Sequence, residues 1–118
     1  MRLRIRFVLI CFALAIFAQS ASATTVSLIS TIRTIDAQAD GRIVLTFHDE
    51  SPNCINTSSP KFHYLTVGQN GMTAEGFKNA HATAMLAVAL GKSVHIYFNS
   101  QSSACYISRI ILRNLTPP

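Results

Sequence analysis

Few residues of this chain can do chemistry near neutral pH: the four histidines, His48, His63, His81 and His95, and the three cysteines, Cys11, Cys54 and Cys105. Histidine is the side chain whose ordinary pKa lets it exchange a proton or ligate a metal under physiological conditions. No two of these histidines stand at the i, i+4 spacing of a helical zinc motif, and the carboxylates Asp49 and Glu50 fall together on one polar stretch. That favours a packed helix position for His81 and exposed strand or loop positions for the other three. A hydrolytic pair of His48 and His95 would need Lys61 or Lys92 to stabilise an anion, and no spacing places these groups together. The serines lie in no Gly-x-Ser-x-Gly, and there is no glycine-rich phosphate loop. The expectation is a non-enzyme with no catalytic residue, no metal site and no cofactor; a small histidine-dependent hydrolase is the weaker alternative.

The cysteines divide according to what the first 23 residues are. Arg2, Arg4 and Arg6 precede an apolar run over residues 7–18, and Ala21-Ser22-Ala23 follows with small side chains. This is the pattern of an export signal cleaved after Ala23, and the apolar run is short of the roughly 20 residues that span a bilayer. A secreted or periplasmic domain over residues 24–118, with no membrane span, is expected. Its charge is +2 rather than +5, with seven basic residues against five acidic. The basic residues are scattered singly, which argues against a nucleic-acid partner. Cys11 leaves with the signal, and the pair Cys54 and Cys105 in an exported chain is most simply one disulfide. Two free thiols or a metal pair remain as alternatives, the latter without a further cysteine to complete a thiolate site. A covalent staple matters here, because a domain of 95 residues has a marginal core.

The elements that must position these groups follow from periodicity. Residues 25–35 are rich in Val, Ile, Thr and Ser and suit a first strand, ended by the hairpin signal Asp40-Gly41. Residues 42–48 alternate, with Ile43, Leu45 and Phe47 on one face, and form a second strand. A polar loop over residues 49–60 leads to a third strand over residues 61–67. Residues 73–90 form the one helix, with Thr73 as N-cap and Gly91-Lys92 as its stop. At 100° per residue, Phe77, Ala80, His81, Ala84, Met85 and Val88 form the face expected on the sheet. Leu86 and Leu90 point away from it, so cover from loops or from a second copy in a homo-oligomer is expected. Residues 93–98 alternate again, with Val94, Ile96 and Phe98 against His95 and Tyr97, and residues 105–112 form the last strand.

Three strands, one helix and two strands give a mainly β, α+β fold, in the element order of the small oligonucleotide/oligosaccharide-binding (OB) barrel. The run from Ala84 through Gly91-Lys92-Ser93-Val94 to Tyr97, followed by Cys105 and an Ile-rich strand, resembles small secreted bacterial proteins related to the B subunits of subtilase-type and pertussis-like toxins. In that group a helix ends in Gly-Lys/Gln-x-Val, a strand follows at once, and one cysteine precedes the helix while another lies near the last strand. The likeness covers residues 41–112 and rests on structural residues. It implies an OB-like fold and, through that fold, a ring-forming, glycan-binding subunit.

The function expected is thus an exported binding module with a glycan or protein partner; an accessory protein of the periplasm without a small ligand is the alternative. Tyr64, Tyr97 and Tyr106 are the candidate binding surface, since a tyrosine offers a flat apolar ring and a wet hydroxyl. Asn56-Thr57-Ser58 and Asn114-Leu115-Thr116 fit the glycosylation pattern, which has meaning only in a eukaryotic source.

Overall fold

The computed structural model describes residues 24–114; the expected leader over residues 1–23 lies outside the described residues. Five strands, β1 (Thr25–Ala37), β2 (Ile43–Phe47), β3 (Phe62–Leu65), β4 (Ser93–Asn99) and β5 (Ile107–Leu112), surround one helix, α1 (Ala74–Leu90), in the expected order. They form one antiparallel sheet in the order β3-β2-β1-β4-β5.

Strand β1 holds the sheet together because it is shared. Its first half pairs β4, from Thr25↔Asn99 to Thr31↔Ser93, and its second half pairs β2, from Ile32↔Phe47 to Ala37↔Ile43. A register shift between Ile32 and Thr34 separates the halves, and a bulge at such a point bends and twists the strand. The two ends of the sheet approach each other where the Tyr64 N–H reaches the Ala104 carbonyl at 3.1 Å. Among the described residues the sheet is not closed into a barrel, since β3 and β5 remain its edges.

The inner face collects Ile43, Leu45, Phe47, Leu65, Val94, Ile96, Phe98 and Ile107, all buried, as the alternation in β2 and β4 required. Helix α1 lies across β5 and β1. It starts where Thr73 Oγ1 accepts the Gly76 N–H at 3.0 Å. It stops at Gly91, whose φ of 62° lets its own N–H and that of Lys92 reach the Val88 and Ala87 carbonyls.

The expected sheet-facing side of α1 requires correction. Of the residues expected there, Ala80 and Ala84 are buried and Phe77 packs against the core, but Met85 and Val88 are exposed, and Ala87 is buried instead. The helix is turned so that the methyl groups of Ala80, Ala84 and Ala87 face the sheet, because small side chains allow close approach; Met85 and Val88 are displaced outward. Among the described residues no helix is long and apolar enough to cross a membrane.

Candidate functional site

Two tyrosines meet where the sheet edges approach. In β3, Leu65 and His63 point inward, so Phe62 and Tyr64 must point outward. Tyr106 precedes β5, with its carbonyl tied to the Asn70 side chain at 2.8 Å and to the Asn99 N–H at 3.0 Å. The Tyr64 and Tyr106 rings stand 6.2 Å apart, and Phe62 packs edge-on to Tyr64 at 5.3 Å. The Arg42 guanidinium lies 4.9 Å above the Tyr64 ring. Asp40 holds that cation through a 2.6 Å ion pair. The Arg42 backbone N–H, and then its side chain, keep the Asp40 carboxyl below its ordinary pKa. The patch thus combines three half-buried aromatic rings with a fixed cation and a carboxylate.

Tyr97 belongs to a different group, stacked with His95 at 4.6 Å and with the Arg109 guanidinium 5.7 Å above its ring. Leu86 and Leu90 are 50% and 55% exposed, which agrees with their expected outward direction. A cleft of about 230 Å³ between the start of α1 and β5 is lined by Thr73, Gly76, Asn79 and Arg109, and another of about 340 Å³ by Leu90, Leu112 and Arg113. Neither of these two clefts is lined by Tyr64.

Beneath the patch lies the second cluster. Cys54 and Cys105 form the expected disulfide, with Cα atoms 5.7 Å apart, and both are fully buried. Cys105 takes a left-handed φ of 46°, and its N–H meets the Ser102 carbonyl at 3.0 Å. His63 was expected to be exposed, but it is 1% exposed, because the alternation of β3 turns it inward beside Leu65. Phe47 and Phe98 flank its ring at 5.2 Å and 4.6 Å. Burial pushes its pKa down to about 4, outweighing the Cys105 backbone, which favours the charged ring. Helical His81, expected to be packed, is only half-buried, in loose contact with Phe77 at 6.2 Å.

The residues of the hydrolytic alternative are occupied separately. His48 Nδ1 lies 2.9 Å from Thr31 Oγ1, His95 stacks on Tyr97, and the Lys61 ammonium donates to the Cys54 and Asn56 carbonyls at 2.6 Å and 3.1 Å. Asn56 is itself buried, its side-chain amide donating to the Phe62 carbonyl at 2.8 Å, so its sequon is closed in the folded state.

Sequence reasoning missed Arg42 and Phe62, and it placed His63 on the wrong side of its strand. The alternation of β3 carried the signal for the last two; nothing local announced that Arg42 would lie over Tyr64. No family description, curated protein or solved structure matches this chain.

Proposed function

We propose that this chain is an exported, non-catalytic binding module of the OB type that takes a saccharide on the patch around Tyr64. Modules of this type bind on the face of the second and third strands and on the loops joining strands one to two and four to five. The observation that carries the reading is the convergence of those segments. Arg42 comes from the end of the first loop, Tyr64 from β3 and Tyr106 from the end of the last loop, and Tyr64 touches both of the others. The shared strand β1, its register shift and the Tyr64 to Ala104 hydrogen bond support the fold part of the proposal.

The chemistry suits a sugar. Flat rings cover the apolar C–H face of a pyranose, while Arg42 and Asp40 supply a donor and an acceptor for hydroxyl groups. The leader pattern and the disulfide support export to an oxidising compartment. The exposed side chains Met85, Leu86, Val88 and Leu90 support self-association of the module through α1.

A glycan array probed with the mature protein tests the reading. Wild type should bind at least one saccharide class, and Tyr64→Ala should weaken that binding about tenfold or more, as loss of a central aromatic anchor does. Equal binding by Tyr64→Ala would overturn the site.

A further inference from the structure

We propose that Cys54, His63 and Cys105 form a redox-gated zinc site, closed while the disulfide stands and opened when it is reduced. The two Sγ atoms and a ring nitrogen of His63 all lie within 4.8 Å of one another. The site lies in the interior, where a polar atom without a partner carries an uncompensated cost. Two such atoms occur here: His63 Nδ1, on a side chain 1% exposed, and Asn56 Oδ1, on one 6% exposed.

A third observation concerns what the sulfurs receive. The Asn56 side-chain amide donates to Cys54 Sγ at 2.8 Å, with Cys105 Sγ 3.6 Å away. Sulfur is a weak acceptor when neutral, whereas a hydrogen bond to an ionised acceptor is shorter and stronger. That amide would therefore bond more strongly to a thiolate at Cys54 than to the disulfide sulfur, and a bound cation would offset the cost of burying the two charges. Two thiolates with one imidazole are a donor set that zinc accepts, and the Asn56 amide is then the kind of outer hydrogen bond that tunes metal ligands. The partnerless Asn56 Oδ1 offers an acceptor for water in the fourth position.

The mechanics also fit. His63 is fixed on β3 between Phe47 and Phe98, whereas Cys54 and Cys105 lie on connections outside the strands. One ligand is held while the other two can part to the separation that a shared metal requires.

The redox step balances with a dithiol of the thioredoxin class as reductant, one delivered to the same exported compartment. Local opening of the two connections exposes the buried bridge, the reductant's thiolate attacks one sulfur, the Cys54–Cys105 bond breaks, and the reductant leaves as its own disulfide. Two electrons and two protons end on Cys54 and Cys105. Zinc binding then displaces those two protons, and the metal replaces the covalent bond as the staple between the two connections.

The test uses the folded mature chain over residues 24–118, whose two cysteines are Cys54 and Cys105, oxidised or reduced by a phosphine, which water converts to the phosphine oxide, and Co²⁺ as the probe. The reduced chain should take up one Co²⁺ with thiolate-to-cobalt charge-transfer absorption, Zn²⁺ should displace it and protect both thiols from alkylation, and the oxidised chain should show neither effect. Asn56→Ala should weaken metal binding about 10- to 100-fold. His63→Leu should lose the cobalt spectrum, while the double variant His48→Ala/His95→Ala should keep it. Should His63→Leu fail to fold, the His63 ring ¹⁵N shifts of reduced wild type decide, and they should move on adding Zn²⁺. A reduced chain without charge-transfer absorption, equal binding by the oxidised chain, loss of the spectrum in His48→Ala/His95→Ala, or unmoved His63 shifts would each overturn the proposal.

Discussion

Removing the disulfide should expose how much of this domain's stability is covalent. Cys54 and Cys105 are separated by 51 residues, and the chain-entropy relation gives such a loop about 4 kcal/mol. That is a large share of the 5–15 kcal/mol typical of whole domains. The double variant Cys54→Ala/Cys105→Ala should therefore lose about 4 kcal/mol in urea unfolding with a chelator present, and its Tm should fall by about 20 °C. A second comparison isolates the backbone. Because Cys105 has φ of 46°, Cys54→Ala/Cys105→Gly should be about 1 kcal/mol more stable than the double alanine variant, since glycine adopts the left-handed region without a Cβ penalty. Unfolding free energies within 1 kcal/mol of wild type for both variants would refute the reasoning.

Three further outcomes are expected. With a folded-state pKa of about 4 against about 6.5 unfolded, His63 leaves the unfolded chain binding a proton that the folded one refuses between these values. Stability is thus full above pH 6.5 and falls by about 3 kcal/mol toward pH 4; urea titrations should show this slope in wild type but not in His63→Gln, and equal slopes would contradict it. Ala84 is fully buried, so Ala84→Leu should cost about 1–3 kcal/mol by overpacking, whereas Leu86→Glu on the exposed side should change stability by less than about 0.5 kcal/mol when compared at a dilution where wild type is a single chain; thermal melts there giving the reverse order would show the helix orientation to be wrong. Light scattering should give wild type a mass above one chain and Leu86→Glu the mass of one, and a monomeric wild type would remove self-association.

Alternation was legible wherever a strand has one wet face: Ile43, Leu45 and Phe47, and again Val94, Ile96 and Phe98, were assigned inward from the sequence and are buried. The helix ends were legible for an equally local reason, since Thr73 and Gly91 satisfy backbone groups within their own turns. The face of the helix was legible only in part: Ala80 and Ala84 were assigned inward and are buried, but so were Met85 and Val88, which are exposed. Hydrophobicity ranks Met85 and Val88 above Ala80 and Ala87, but the gap between helix and sheet is set by size, and alanine fills it. His63 was misplaced because its polarity outweighed the alternation that turns it inward, where two phenylalanines and the disulfide surround it. The patch itself is non-local: Arg42, Tyr64 and Tyr106 come from separate parts of the chain and meet only in the folded sheet.

The central claim, saccharide recognition at that patch, is tested most directly by amide and aromatic NMR shifts of the oxidised protein during titration with the sugars selected on the array. The account predicts shift changes concentrated at Arg42, Phe62, Tyr64 and Tyr106, saturating together with one dissociation constant. Changes centred instead on Tyr97 and Arg109 or on the Leu86 face of the helix, or no saturable change with any sugar, would contradict it.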